Sequence, residues 1–290
     1  MRIAFVVQRY GTEILGGSEY HCRLIAEKMA LRHDVEVLTT CAQDYLTWKN
    51  EYPEGTDRVR GVTVRRFANA QTRDIKSFNR YSDWIFNNPH TQADEMEWLQ
   101  RQGPWCPALL EYLEQHALKY EILIFFTYLY APTVLGIAIA PGRSILVPTA
   151  HDEPAIHLDL YRDVFSLPAG VAYNTDAERA FLRSTFDIRT VAENTVGCGV
   201  ELLPHQVGDQ PNRGGRIRRR SSGRSRTADS GKRTDNGNGR GSHLHKRGAA
   251  FLRRHRLHGP VALYGGRIEP GKGCEELIEH FSAYANSGGD

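Results

Sequence analysis

Two glycine-rich segments of the 290-residue sequence have the residues needed to hold a phosphorylated ligand. The first, Gly16-Gly17-Ser18-Glu19, follows an apolar run of strand length and precedes a helical pattern. Glycines there let backbone N–H groups approach an anion or a sugar closely, and the start of a helix favours negative charge. A tight turn with Ser18 as the N-cap of the helix is an equally good interpretation. The spacing is not GxGxxG, which argues against NAD binding.

The second segment, residues 264–273, reads YGGRIEPGKG and leads into another helical pattern. Arg267 and Lys272 lie five residues apart in it. An arginine can bind one phosphate through two parallel N–H groups while a lysine supplies a point charge to the next. We therefore predict that this loop binds a diphosphate, and a solvated surface turn is the alternative.

A third candidate is His151, which directly follows a predicted strand in the segment VPTAHDEP. The carboxyl edge of an α/β sheet is where such proteins bind ligands. A structural histidine is the alternative. Asp152, Glu153 and His157 are also of metal-ligand type, but their spacing does not match HExxH, so no metal site is predicted. Asn174, Thr175 and Glu178 are interpreted as helix capping, with Thr175 and Glu178 forming a capping box.

The elements that position these residues alternate between strand and helix patterns. This alternation predicts an α/β fold with a Rossmann-like, doubly wound parallel sheet and helices on both faces. The apolar stretch 122–140 is interpreted as a strand and a helix, not a membrane span, because Pro132 and Gly136 interrupt it. The predicted strands are 2–7, 35–39, 62–67, 122–128, 144–149 and 171–174, with helices from about 18, within 71–118, over 132–140 and after 175.

Residues 205–248 differ from the rest of the sequence. Twelve of the 37 Lys and Arg residues, but only two of the 34 Asp and Glu residues, lie between Arg213 and Arg247. The segment has almost no large apolar residues, which predicts a disordered basic linker. A shifted reading frame and a nucleic-acid-binding arm are the alternatives, and the second lacks the aromatic residues of a stacking platform. The remainder of the chain is mildly acidic.

The two glycine-rich loops together resemble the retaining family-4 glycosyltransferases of the GT-B fold. The resemblance covers roughly residues 1–204 and 259–285. It implies two Rossmann-like domains facing each other, hexosyl transfer from a nucleoside-diphosphate sugar to a glycan or glycoconjugate, and no metal or other cofactor. By position, Arg267 and Lys272 would hold the donor diphosphate. Gly16 and Gly17 would bring backbone against the donor phosphate or the acceptor.

The resemblance also implies that His151 reaches into the cleft near the donor sugar, without the role of a base. The segment from Gly197 to Glu201 resembles the family's crossover between domains. A second family signature, two glutamates eight residues apart, does not occur after Lys272. We therefore expect an incomplete second Rossmann-like domain, truncated at its C-terminus, and doubtful catalytic activity.

The predicted organisation is an acceptor-side domain over 1–204, the basic segment over 205–248 and the start of a donor-side domain over 249–290. Five cysteines without a close pair, and no signal-peptide pattern, predict a cytoplasmic protein. No specific nucleic-acid partner is expected, and peripheral contact with a membrane is left open. The alternative function is a non-catalytic Rossmann-like binding module whose basic arm recruits an acidic partner.

Overall fold

The computed structural model describes residues 1–189, 192–199, 252–258 and 273–287. The chain divides into two compact units, Met1–Asp209 and Gln210–Asp290. In the second unit, the described residues include the helix Cys274–Asn286, as predicted for this stretch. Leu277, Ile278 and Phe281 on that helix are between 41 % and 61 % exposed, so its apolar face is not buried. The predicted domain boundaries themselves stay predictions.

The first unit contains an eight-stranded sheet with the strand order β3-β4-β2-β1-β5-β6-β7-β8. Every neighbouring pair is parallel except β3 and β4. This confirms the predicted α/β fold with a largely parallel sheet. The strands are β1 (Arg2–Val6), β2 (Asp34–Thr40), β3 (Gly55–Val59), β4 (Val62–Phe67), β5 (Ile122–Phe126), β6 (Ser144–Val147), β7 (Gly170–Tyr173) and β8 (Ala192–Thr195).

Among the described residues of this unit, seven α-helices lie between or after the strands. The helices α2 to α4 form an insertion between β4 and β5, in the region predicted to be helical. Asp74 and Thr91 cap the first two of them through side-chain hydrogen bonds. The helices are α1 (Gly17–Met29), α2 (Ile75–Asn87), α3 (Gln92–Gln102), α4 (Pro107–His116), α5 (Ala131–Ile139), α6 (Tyr161–Ser166) and α7 (Asp176–Thr185).

Two apolar clusters cover the two faces of the sheet. On one face, α1 packs Cys22 and Ala26 against strand residues such as Phe5 and Val37. Cys22 and Ala26 are four positions apart and therefore lie on the same side of the helix, which is buried. On the other face, a larger cluster contains residues of α2 to α7, including Trp98 and Leu113. The helices therefore cover both faces of the sheet, and the loops lie at the carboxyl ends of its strands.

The structure corrects three details of the predicted elements. The strand predicted over 62–67, β4, pairs with a further strand, β3, which was not predicted from the sequence. The strand β8 was also missed. The strand predicted over 144–149 ends at Val147, because Thr149 has a positive φ of 53° and cannot continue an extended chain. The stretch 122–140 divides into β5 and α5, and no described helix is long and apolar enough to cross a membrane.

Candidate functional site

The strand order reverses at β1: β2 and β4 follow on one side of it, and β5 to β8 follow on the other. In open α/β sheets, the crevice outside the carboxyl ends of the strands at such a point is the usual ligand site. The loop from Val7 to Gly16, after β1, and the loop from Thr127 to Tyr130, after β5, border this crevice. The predicted glycine-rich loop therefore lies where the topology favours binding.

The N-terminus of α1 opens into this crevice without a side-chain cap. Gly16 is the N-cap, with φ −69° and ψ 139°, and no side chain of the described residues accepts a hydrogen bond from the first turn. The first bond of the helix runs from the Tyr20 N–H to the Gly16 carbonyl oxygen at 2.8 Å. The interpretation of Ser18 as the N-cap is wrong, because the helix already begins at Gly17. The Ser18 hydroxyl is instead hydrogen-bonded to the Thr127 hydroxyl at 2.5 Å.

Gly16 and Gly17 have different surroundings. A Cβ atom at Gly16 would lie 2.0 Å from Oε2 of Glu19, so this position has no room for a side chain. A Cβ atom at Gly17 would have no described atom within 4 Å. Gly16 is thus required by the packing of Glu19, whereas Gly17 leaves the backbone of the helix start accessible to a ligand. Contact of either residue with a ligand stays a prediction.

A buried ion pair between Arg9 and Glu19 supports the loop. Nε and Nη2 of Arg9 donate to Oε1 of Glu19 at 2.9 and 2.6 Å. Nη1 of Arg9 donates to the Gln43 carbonyl oxygen at 2.6 Å, which links the loop to the segment after β2. Both side chains are at most a tenth exposed. Glu19 belongs to the glycine-rich motif, but nothing in the sequence indicates that it pairs with Arg9.

Tyr130 is the N-cap residue of α5 and adds an aromatic ring to the crevice. Its ring packs edge-on against Trp48 with 5.4 Å between centroids. Burial, followed by the negative charge of Glu19, raises the pKa of Tyr130 to about 12, against opposing effects of Arg73 and Arg9. Its hydroxyl therefore remains protonated at neutral pH and can donate a hydrogen bond.

His151 lies at the same edge, after β6, two strands from β1 and hence roughly 10 Å away by strand spacing. Its side chain is 70 % exposed, and its Nε2 lies 3.7 Å from Oε2 of Glu153. The hydroxyl of Tyr128 donates to the other oxygen of Glu153. Burial and then the charge of Glu153 raise the pKa of Tyr128, so this donor keeps its proton. His151 is accessible to a ligand and has a carboxylate beside it.

Glu178 fixes the backbone next to His151. It is 6 % exposed, and its carboxylate accepts hydrogen bonds from the Ala150 and Asn174 N–H groups, both at 2.6 Å. The hydroxyl of Thr175 accepts from the Glu178 N–H at 3.0 Å, which is half of the predicted capping box. The reciprocal half is not formed, because the carboxylate joins the loops after β6 and β7 instead. Oδ1 of Asn174, also at this edge, is buried without a hydrogen-bond partner among the described residues.

Two threonines at the ends of adjacent strands have left-handed backbone conformations. Thr127, after β5, has φ 68°, and Thr149, after β6, has φ 53°. A positive φ is uncommon for β-branched residues, and such outliers cluster at binding and catalytic sites. These conformations could not be predicted from the sequence, since threonine ordinarily favours extended conformations.

Several other residues that the sequence singles out lie outside the part of the chain that the structure describes. Arg267 and Lys272 lie outside the described residues, as do the basic segment from 205 to 248 and the Val200-Glu201 pair. His157 pairs with Asp152 at 2.8 Å. Within the described residues, no three side chains of His, Cys, Asp or Glu come together as a metal site.

The likeness of this chain to known proteins is distant and lies in the fold. No family model matches the chain. No curated protein matches it either. Among solved structures, it is similar to sucrose-phosphate synthase from Thermosynechococcus elongatus, with 12 % identity and a TM-score of 0.43. The match covers 69 % of this chain and 48 % of that one, so the chain spans about half the length of that protein. This degree of similarity does not indicate an activity for the chain.

Proposed function

We propose that the first unit is the acceptor-side half of a GT-B glycosyltransferase of the retaining family-4 kind. The reaction would transfer a hexosyl group from a nucleoside-diphosphate sugar to a glycan or glycoconjugate. The observation that supports it best is the uncapped start of α1 at Gly17, open to the crevice where the strand order of the sheet reverses. A helix N-terminus with accessible N–H groups favours negative charge, and neighbouring hydroxyls suit a sugar.

The two sides of the crevice would bind different parts of the donor. The Gly17 backbone and the hydroxyls of Ser18, Thr127 and Tyr130 would hydrogen-bond the sugar and the oxygens of the leaving group. His151 would contact the donor sugar as its C1 gains positive character. The C1–O bond breaks with its electron pair leaving on the diphosphate, and the acceptor oxygen bonds to C1 on the same face. The proton of the acceptor hydroxyl passes to the diphosphate.

Arg267 and Lys272 are proposed to neutralise the donor diphosphate, so that no metal ion is required. Two unlike cationic side chains on one glycine-rich loop provide a forked and a point contact for adjacent phosphates. We also propose that the protein is cytoplasmic. Its five cysteines support this location, because all of them lie within described stretches and none forms a disulfide, as is usual in a reducing compartment.

Calorimetric titration of the 290-residue chain with UDP and GDP tests the proposal. We expect one of the nucleotides to bind and the double substitution Arg267→Ala, Lys272→Ala to abolish binding. Gly17→Ala should weaken binding about tenfold, because its methyl group occupies the space next to the exposed N–H groups. Gly142→Ala is the matched control, since a Cβ there also meets no described atom within 4 Å.

Equal affinities of the Gly17→Ala and Gly142→Ala proteins would contradict a role for the α1 N-terminus. Circular dichroism of each variant first establishes that it is folded. If the folded parent protein binds neither nucleotide, donor binding by this chain is excluded. Salt-sensitive binding to nucleic acid in that case would favour the alternative, a binding module with a basic arm.

A further inference from the structure

A buried carboxylate of the helical insertion, Glu95 on α3, binds the backbone just before α6. Glu95 is 3 % exposed. Its Oε1 accepts a hydrogen bond from the Asp159 N–H at 3.0 Å, and its Oε2 accepts one from the Leu160 N–H at 2.7 Å. Leu160 is the N-cap residue of α6, so Glu95 fixes the point at which the preceding loop ends and the helix begins.

The loop that ends at this contact, residues 148–160, carries His151 and is called the His151 loop below. Near its start, the Ala150 N–H donates to the carboxylate of Glu178 at 2.6 Å. Two buried carboxylates on different helices therefore hold the two ends of one loop. His151, which is 70 % exposed, lies between these two contacts, so both contribute to its position.

His90 is a further partner of Glu95. Its Nε2 lies 3.1 Å from Oε1 of Glu95, and its Nδ1 lies 2.9 Å from the Asn88 carbonyl oxygen. A carbonyl oxygen and a carboxylate only accept hydrogen bonds, so both ring nitrogens need a proton for both bonds to form. A neutral imidazole has a single N–H group and keeps only one of these bonds. The geometry therefore requires the imidazolium form of His90.

The charges around the pair favour the same protonated form. The Asn88 carbonyl oxygen, and then Glu95, raise the pKa of His90 above its ordinary value, against the effect of burial. The other titratable or charged side chains of α3 and of the segment bound by Glu95 are Asp94, Asp159, Tyr161 and Arg162. Asp94 also raises the pKa of His90. Asp159 accepts from Nε of Arg162 at 2.7 Å, so these two charges compensate each other. Burial raises the pKa of Tyr161 well above its ordinary value, and its phenol stays neutral.

We propose that His90 and Glu95 are positioning residues, which hold the His151 loop while His90 is protonated and release it when His90 loses its proton. Below the ordinary pKa of His90, the imidazolium keeps both bonds and compensates the buried carboxylate. As the pH rises through the raised pKa, this compensation is lost and the contact with Asp159 and Leu160 weakens. The consequence for glycosyl transfer rests on the proposed function, whereas the hold on the loop does not.

Hydrogen–deuterium exchange of the 290-residue chain, measured by mass spectrometry of peptic peptides, tests the proposal. Protection factors correct for the direct effect of pH on exchange, and those of residues 155–160 are expressed relative to those of β1. We expect this relative protection to fall about fivefold between about pH 5.5 and about pH 8.5. His90→Ala should give the lower value at both pH values. His90→Lys, which keeps its positive charge at both, should give the higher value at both.

His116→Ala is the matched control. The Nδ1 of His116 also contacts a backbone carbonyl oxygen, that of Tyr112, at 3.0 Å, but His116 lies on α4 and not beside Glu95. This variant should keep the pH dependence of the parent protein. A relative protection that does not change with pH in the parent protein, or the same change in the parent and His90→Ala proteins, would overturn the proposal.

The exchange experiment uses no nucleotide, so its result is separate from that of the titrations with UDP and GDP. If neither nucleotide binds but the exchange depends on His90 as expected, the role of the pair stands and the proposed donor binding does not. If a nucleotide binds but the exchange is independent of pH, the role of the pair is overturned and donor binding stands.

Discussion

Replacement of Gly16 by alanine is the most direct perturbation of the β1–α1 loop. The new Cβ atom would lie 2.0 Å from Oε2 of Glu19 and 2.6 Å from its Cδ. Neither distance is tolerated, so the carboxylate of Glu19 has to move away. That movement breaks the two hydrogen bonds from Arg9, whose side chain is 10 % exposed. The buried guanidinium then keeps only its bond to the Gln43 carbonyl oxygen.

The cost can be worked out from these contacts. Removal of one partner from a buried ion pair destabilises a protein by about 3–5 kcal/mol. Because Glu19 is displaced and not deleted, we expect about 2–4 kcal/mol for Gly16→Ala. Alanine is also a poorer N-cap than glycine, by about 0.5–1 kcal/mol. For a unit of this size the sum corresponds to a decrease of the unfolding midpoint by roughly 5–15 °C.

Urea denaturation of a double-mutant cycle measures whether the clash is the cause. In a Glu19→Ala background, Gly16→Ala should cost only the N-cap difference of about 0.5–1 kcal/mol. Gly17→Ala is the matched control and should change the free energy of unfolding by less than about 0.5 kcal/mol, because its methyl group meets no described atom. If Gly16→Ala costs the same with and without Glu19, the steric explanation is refuted.

Three further predictions concern residues outside this loop. Glu178→Gln should lower the free energy of unfolding by about 1–3 kcal/mol in urea, because one of two buried backbone N–H groups loses its acceptor. The Asn88 carbonyl, and then Glu95, raise the pKa of His90. The stabilisation from His90 is therefore full below its ordinary pKa and is lost as pH rises through the raised value, so His90→Ala should be more destabilising at about pH 5 than at about pH 9. Iodoacetamide should modify the exposed Cys198 in the folded protein, whereas mass spectrometry should find the buried thiols unmodified until unfolding: Cys22, Cys41 and Cys106.

The central strands could be predicted from the sequence because their burial on both faces requires continuous apolar runs. The segment ILIFF of β5 is one such run. The edge strand β3, with the sequence GTDRV, contains a single apolar residue and four exposed ones. It is a strand because the Arg60-Gly61 turn, with φ 46° and 86°, folds it back onto β4. Pairing across a turn, not composition, decides its conformation.

The glycine-rich loop and His151 could be found from the sequence because their motifs are local. The residues that form hydrogen bonds with these segments could not be found in the same way. The contact between Ser18 and Thr127 joins residues 109 positions apart, and the sequence of either segment does not indicate it. The carboxylate of Glu178 was expected to cap its own helix, but the Ala150 N–H, 28 positions away, is an alternative donor that only the tertiary fold supplies.

The left-handed conformations of Thr127 and Thr149 have a consequence for any attempt to make this protein more resistant to heat. A β-branched residue held at positive φ costs about 1–3 kcal/mol, which glycine or asparagine would largely avoid. Selection for thermostability would therefore favour such replacements at both positions. The same replacements would remove the Thr127 hydroxyl from its contact with Ser18 and loosen the backbone before His151. Replacements that raise the thermal stability at these two residues would therefore also change the shape of the crevice.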